Sequence, residues 1–346
     1  MQCKCSSISD YDKYCLVPRR SSLKSRSEAE ISSEMVKGFK TNIPLIASPM
    51  LTCEVDMCIA MHRVGGFGTI HRYDTIENQS KMIKKLKDKK IPIRAASIGS
   101  NGVEERISRL VDAGSNVLML DSAHGHSDSC LSTMMFIKKE YPDIKVISGN
   151  IVTIDAARDY EEAGADALRI GIGSGSSCET RTVAGCGYNT LDALIEISER
   201  TNIPLLADGG IKCAGHIAKA IAAGASGVII GNLFAATKES CARRVRRKDS
   251  DGKYKYYRQY SGMSSPEALL ERKRRTSENG FDHFVAPEGR TILIEDREET
   301  IEKITEQLGA GLRHALAYLG CRNIEELWKN AKWTAPDKPN PNVITM

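Results

Sequence analysis

Short apolar runs separated by polar or glycine-rich punctuation recur along the chain. They are IPLIAS (43–48), GFGTIHR (66–72), IRAASIG (93–99), VLMLDSA (117–123), IKVISGN (144–150), ALRIGI (167–172), IPLLADGG (203–210) and GVIIGN (227–232). Between them lie segments such as SRLVDAGS, ARDYEEAGA and IAKAIAAGA, whose apolar residues keep helical spacing and which close on Ala-Gly, a helix-ending signal. The runs do not alternate apolar with polar, so both faces of each strand are expected to be buried, as in a parallel sheet. Eight such units predict an α/β fold of the (β/α)8, or TIM, barrel type. An open doubly wound sheet is the weaker reading, because no GxGxxG follows the first strand.

After the eighth run the pattern breaks for a long excursion, 233–290, before the helix EETIEKITEQLGAGLRHALAYLG (298–320). A hairpin is expected around Asp251-Gly252, and a segment this long reads as a mobile flap over the barrel mouth. The whole chain, 1–346, is expected to be one barrel domain carrying this insertion. Barrel active sites use the loops after the strands. The unusual residues fall there: His71-Arg72, Asp121 to His126, Ser148-Gly149-Asn150, the loop GIGSGSSCETR (171–181), Asp208-Gly209-Gly210 and Gly231-Asn232.

Composition narrows the class. With 41% apolar residues the chain has ample material for a core, and no run approaches the roughly 20 apolar residues that would cross a bilayer. The N-terminus lacks a signal-peptide core, so a cytoplasmic protein without membrane contact is expected. Eleven cysteines, an odd number scattered through the elements, read as reduced thiols, and the pair Cys3/Cys5 has no neighbours with which to build a metal site. The net charge of +5 is concentrated in RRVRRK (243–248) and ERKRR (271–275). Aromatics that would stack bases are scarce, so no nucleic acid is expected, and anionic small molecules account for the charge better.

The loop ending at Cys178 carries the candidate chemistry. Gly171, Gly173 and Gly175 allow backbone groups to close on an ion, and glycines after the seventh and eighth strands stand where such barrels commonly hold phosphate. Asp208 suits ribose hydroxyls. Cys178 lies among Ser176, Ser177, Thr180 and Arg181, a polar setting that favours a nucleophile over a packing cysteine, with Arg181 able to favour the thiolate. Glu288, at the base of the flap, is a candidate for proton transfer. His124 and His126 are spaced like metal ligands, but two histidines alone do not make a site.

With these residues in view the chain resembles the IMP dehydrogenase and GMP reductase family from about Tyr14 to Lys332. The segments that carry the resemblance are LVPRRSSLKSRSE (16–28), DSAHGHS, SGN, GIGSGSSCETR with VAGCGY after it, LLADGGIK, GMSS (262–265), PEGR and LGAGLRHALAYLG. The resemblance implies a tetramer of (β/α)8 barrels in which a cysteine attacks C2 of a purine nucleotide while a nicotinamide cofactor gives or takes hydride there. By motif, Cys178 is the nucleophile, with Thr180 and Glu288 handling protons. Ser176, Asp208, Gly209, Gly210, Gly231 and Asn232 hold ribose and phosphate, Gly262, Met263 and Ser264 face the base, and Gly289 is a further substrate-binding residue. Asp121, Ser122, Ala123 and Arg72 meet the cofactor, joined by Ser25 and Arg26. Gly173, Gly175, Cys178 and Arg181 match a loop for a monovalent cation such as potassium.

The direction expected from this resemblance is reductive: NADPH-dependent conversion of GMP to IMP and ammonia. The span from Arg72 to Ile93 has no room for the regulatory insert (a pair of CBS modules) usual in dehydrogenases, and LERKRRTSENGFDHF lacks the flap Arg-Tyr pair that activates water. SSLKSRSE and GMSS also look like reductases. DSAHGHS, LLADGGIK and the flap length look like bacterial dehydrogenases, so oxidation of IMP with NAD is the alternative, with Arg274 or Arg275 as water activator. A binding-only barrel is the second alternative. Three positions depart from the family: Met50-Leu-Thr-Cys53 replaces Met-Asp-Thr-Val, Arg72 replaces a reductase lysine, and Val285 replaces a flap arginine.

Overall fold

The computed structural model describes residues 10–248, 252–276, 286–296 and 298–335. Eight parallel strands close into a barrel: β1 (Leu45–Ala47), β2 (Phe67–Ile70), β3 (Ala95–Ile98), β4 (Val117–Leu120), β5 (Lys145–Ile151), β6 (Ala167–Ile170), β7 (Leu205–Asp208) and β8 (Ala225–Ile230). Their order around the barrel follows the chain. β8 returns to β1 through Val228↔Leu45, Ile229↔Ile46 and Ile230↔Ala47. Each anticipated run overlaps one of these strands, although β5 continues one residue past its run and β8 begins two residues before its own.

The surrounding helices are α1 (Val55–Arg63), α2 (Ile76–Asp88), α3 (Glu104–Asp112), α4 (Asp128–Glu140), α5 (Ile154–Glu162), α6 (Thr190–Ser198), α7 (Ala214–Ala222) and α8 (Ile301–Tyr318). Threonine side chains cap several of them: Thr75 accepts from Asn78 N–H, Thr153 from Ala156 N–H and Thr300 from Lys303 N–H. α8 packs against α7 and α1 and so completes the ring, although the excursion separates it from β8.

Uniformly apolar strands still divide their side chains between two cores. Ile46, Phe67, Ala95, Val117, Met119, Ile147, Ala167, Leu206 and Ile229 fill the barrel interior. Leu45, Ala47, Leu118, Leu120, Leu168, Ile170, Leu205 and Ala207 face the helices. Met35, from a hairpin formed by Ser33–Val36 and Phe39–Thr41, joins the interior cluster where β8 begins. A Cβ at Gly227 would come within 2.4 Å of its sulfur, so this glycine makes the room for the plug.

The excursion is built, among its described residues, as an antiparallel sheet of β9 (Arg244–Lys248), β10 (Tyr254–Ser261) and β11 (Thr291–Glu295), with a helix at Pro266–Thr276. Lys248 pairs with Tyr254, so the strands bracket the anticipated turn, of which Asp251 lies outside the described residues. Part of the basic run stacks on tyrosines of β10, with the Arg244 guanidinium 4.0 Å from the Tyr256 ring and that of Arg246 3.9 Å from Tyr254. Val285 lies outside the described residues with the rest of 277–285.

Candidate active site

Continuing the inward phase one step past the apolar interior places charge at the barrel mouth. In β6, Ala167 faces in and Leu168 out, so Arg169 faces in. Asp121 after β4 and Asp208 at the end of β7 fall in the same phase. Arg169 Nε lies 2.9 Å from Asp208 Oδ2, and its Nη1 lies 2.9 Å from Asp121 Oδ1. Arg72 Nε adds a contact to Asp121 at 3.2 Å, and Asn150 Nδ2 donates to Asp208 at 2.7 Å.

Burial is the largest influence on the Asp121 carboxyl and on its own would raise its pKa, but Arg169 and Arg72 together outweigh it and hold the group below its ordinary value. The same logic, with signs reversed, keeps buried Arg169 charged. The sequence reading missed Arg169. The signal was an arginine inside an otherwise apolar strand.

The loop after β6 lies against this layer. Gly171 has φ +143°, and a Cβ there would lie 2.2 Å from the Asp208 carbonyl. Ser174 Oγ donates to that same carbonyl at 2.9 Å, and Asn232 Nδ2 donates to Ser176 Oγ at 2.9 Å, so the loops after β6, β7 and β8 are tied together. Gly209 and Gly210 have φ +86° and +76°, and the loop backbone lies close against them.

Cys178 stands at the end of this loop, half-buried. Its Sγ is 3.2 Å from Thr180 Oγ1, which in turn donates to Glu288 Oε2 at 2.9 Å. The sulfur, hydroxyl and carboxylate therefore form one chain along which a proton can pass. The flap supplies Glu288 and fixes it through its backbone. Glu179 N–H donates to Glu288 O at 2.7 Å, Arg290 N–H to Ser177 O at 2.9 Å, and Gly262 N–H to Arg290 O at 3.0 Å. Ser264 and Gly289 pack backbone to backbone beside Gly262, while Met263 joins Leu51, Tyr73, Ala268 and Leu269 in a small apolar cluster.

Not every expected residue sits where its role was expected. The Arg181 guanidinium is engaged bidentately by Asp10, at 3.0 and 2.7 Å, and by the Tyr188 carbonyl, so its charge is already balanced away from the sulfur. Ser25 caps a single turn, Arg26–Glu28, and Arg26 reaches His314 Nε2 at 3.2 Å on α8. The cavity lined by Arg26 shares no residue with the one lined by Arg72, so one chain does not bring all the expected cofactor residues together. Ser122 Oγ donates to the His124 carbonyl, and Ala123 lies in the same loop. His126 pairs with Asp159 at 2.7 Å, and among the described residues no group of His, Cys, Asp or Glu is arranged to hold a metal.

Arg274 and Arg275, the anticipated water activators, are engaged elsewhere. Arg274 pairs with Glu271 at 2.9 Å. Arg275 reaches Glu54 at 2.8 Å, Asp74 at 3.1 Å and Glu271 at 2.8 Å, and Glu54 also meets the fully buried His71 at 3.3 Å. The His71 hydrogen bond, with Arg275 behind it, lowers the Glu54 carboxyl to about 2 despite partial burial. These contacts fasten the flap helix to the β1 and β2 loops.

The mouth of this (β/α)8 barrel thus gathers a cysteine, a hydroxyl and a carboxylate among the glycine-rich loops after β6, β7 and β8, the architecture of a barrel enzyme. The family model described as "IMP dehydrogenase / GMP reductase domain" matches residues 9–337. An inosine-5'-monophosphate dehydrogenase of Borreliella burgdorferi is 34% identical over 93% of this chain and 92% of its own length. One from Cryptosporidium parvum is 35% identical over 93% and 90%. One from Escherichia coli strain K12 is 40% identical over 69% of this chain and 49% of its own. The chain belongs to the IMP dehydrogenase / GMP reductase family and is an oxidoreductase of purine nucleotide metabolism.

Proposed function

We propose that this protein oxidises IMP at C2 with NAD. The observation that carries the reading is the chain from Cys178 Sγ through Thr180 Oγ1 to Glu288 Oε2, at 3.2 and 2.9 Å. The thiol proton passes through Thr180 to Glu288, and the sulfur adds to C2. Asp121 and Arg72 would hold a nicotinamide cofactor, which would supply the acceptor for the C2 hydride. The carbon then remains bonded to Cys178. Glu288 releases the thiol proton to solvent; water then attacks the carbon, losing a proton through Thr180 to Glu288, the C–S bond breaks to release XMP, and the sulfur takes that proton back to restore the thiol.

Two of the relatives named IMP dehydrogenase align with this chain over nine tenths or more of their own length, so a compact chain without long inserts is compatible with dehydrogenase activity. That removes the length argument for a reductase. Asp208, Ser176, Gly209, Gly210, Gly231 and Asn232 are assigned to ribose and phosphate, and Gly262, Met263, Ser264 and Gly289 to the base and its surroundings. The carbonyls of Gly173, Gly175, Cys178 and Arg181 are assigned to a monovalent cation such as potassium. The side chain of Arg181 is excluded from that role by its own charge and its pairing with Asp10.

One observation favours a second reading. Arg275 is tied to three carboxylates and no tyrosine occurs between Ser261 and Phe284, so the flap offers no second water activator among its described residues. The same dyad run the other way would protonate ammonia leaving GMP while NADPH supplied hydride.

Nicotinamide absorbance separates the two. NADH appearing with IMP supports the dehydrogenase, and NADPH consumption with GMP supports the reductase. Cys178→Ala is expected to abolish either while retaining nucleotide binding, and turnover that survives this change overturns both mechanisms.

A further inference from the structure

The loop after β7 is held from behind by a single helical turn that precedes the barrel, Asp10–Asp12. Each residue of that turn grips the mouth. Asp10 pairs with Arg181 and accepts from the Thr190 N–H, at the start of α6, at 3.0 Å. The Tyr11 ring packs on Gly210, where a Cβ would approach it to 3.3 Å, and stacks on the His216 ring with centres 5.4 Å apart. Asp12 Oδ1 lies 3.0 Å from His216 Nε2. His216 is 2% exposed and sits in the first turn of α7, where the helix dipole disfavours a positive charge.

The other ring nitrogen has two alternative partners. His216 Nδ1 lies 3.1 Å from the Gly210 carbonyl oxygen and 3.3 Å from the Lys212 N–H. A charged ring donates to Gly210 and to Asp12 at once, whereas a neutral ring that keeps its proton on Nε2 accepts from Lys212 and lets the carbonyl go. Burial alone would lower the His216 pKa, but Cys213, Asp12 and the Gly210 carbonyl outweigh it and hold the ring above its ordinary 6.5. Cys213, the N-cap of α7, moves the other way: burial opposes its ionisation, yet His216 and the first N–H groups of the helix bring the thiol below its ordinary value. A Cβ on Gly215 would lie 3.7 Å from its Sγ, so the sulfur rests over that first turn. Lys219, further along α7, is turned to the Tyr11 carbonyl at 2.7 Å.

We infer that His216 is a positioning residue for the phosphate of the nucleotide: as an imidazolium it ties the Gly210 carbonyl to Asp12 and so sets the backbone of the loop after β7. The role rests on the reading that Gly209 and Gly210 hold phosphate. A trans peptide carries its C=O and N–H in opposite directions, so fixing the Gly210 carbonyl also fixes the Ile211 N–H, next to two glycines at φ +86° and +76° that would otherwise leave the loop free. The raised pKa gives the sign. The tie is complete at low pH and is lost as pH rises through the titration of His216.

Calorimetric binding of IMP to the full chain, from about pH 6.5 to about pH 9.5, tests this. The unaltered protein is compared with His216→Gln, Asp12→Asn and Cys213→Ser, each checked by its melting curve. His216→Gln is expected to bind IMP about tenfold more weakly at the lower pH, the order of a charge-assisted hydrogen bond, with the ratio falling toward one at the upper. Asp12→Asn weakens binding in the same direction from a separate element. Cys213→Ser removes the thiolate beside the ring and moves the fall in affinity to lower pH.

Unchanged affinity in folded His216→Gln and Asp12→Asn overturns the role, and so does a loss equal at every pH, which marks a side chain that only supports the fold. Where His216→Gln does not fold, the Asp12→Asn and Cys213→Ser profiles decide by the same criteria. A pH-dependent loss in a protein that turns over neither IMP nor GMP overturns the proposed function and leaves the positioning role standing. Turnover of IMP with unchanged affinity in the variants does the reverse, and no binding of IMP by the unaltered protein overturns both.

Discussion

Thr180 separates two roles that a cysteine mechanism requires, bond formation at sulfur and removal of a proton. Thr180→Val keeps the volume and deletes the hydroxyl that bridges Cys178 to Glu288. Glu288→Gln keeps the hydrogen bond and deletes the base. Both are expected to lower kcat by about 10²- to 10⁴-fold with KM little changed, the range for positioned acid–base groups. Steady-state kinetics check this, and equal losses in KM and kcat would move the pair to a binding role. Cys178 stood out in the sequence as a lone thiol closing a glycine-serine loop. Its link to Glu288, 110 residues away, needed the flap strands to pair so that Cys178 meets Gly289 in an antiparallel bridge.

At the scale of elements, the flap helix is fastened by Arg275 to Glu54, Asp74 and Glu271. Arg275→Gln strands two partly buried carboxylates and is expected to destabilise the flap by about 2 kcal/mol, the order of a hydrogen bond to a charged group. Proteolysis of the flap, faster in the variant than in the unaltered protein, measures it. The pH dependence follows from Glu54. Its folded pKa is lowered to about 2 from an ordinary 4.5, so its contribution is complete above about 4.5 and is lost as pH falls toward about 2. Flap protection measured along that descent should fall in the unaltered protein and fall less in Glu54→Gln. The fastening was not legible in the sequence, where ERKRR reads only as a charged run. Its partners lie about 200 residues away on the loops after β1 and β2.

Across the whole molecule, the barrel interior is one packed cluster into which every strand places a side chain. Ile229→Ala at 1% exposure and Met35→Ala at 0% are each expected to cost about 2–5 kcal/mol through lost contacts and a residual cavity, read from denaturant midpoints. A Met35 effect near zero would show that the hairpin plug is dispensable to the barrel. The architecture was legible in the sequence because it is periodic: strand runs with helical spacing between them are local signals that repeat around the barrel, and Ala-Gly closes three of its helices. The candidate site was marked locally too, by GIGSGSSCETR and the glycines after β7 and β8, whose loops the structure ties together. Only the tertiary structure decided which charges meet. Barrel closure turns Asp121, Arg169 and Asp208 onto one inner layer, and the flap delivers Glu288 and Arg275 from far along the chain. Neighbours along the chain are set by covalent order and short-range propensity, whereas the partner of a charge is set by where the closed barrel and its flap bring distant loops together.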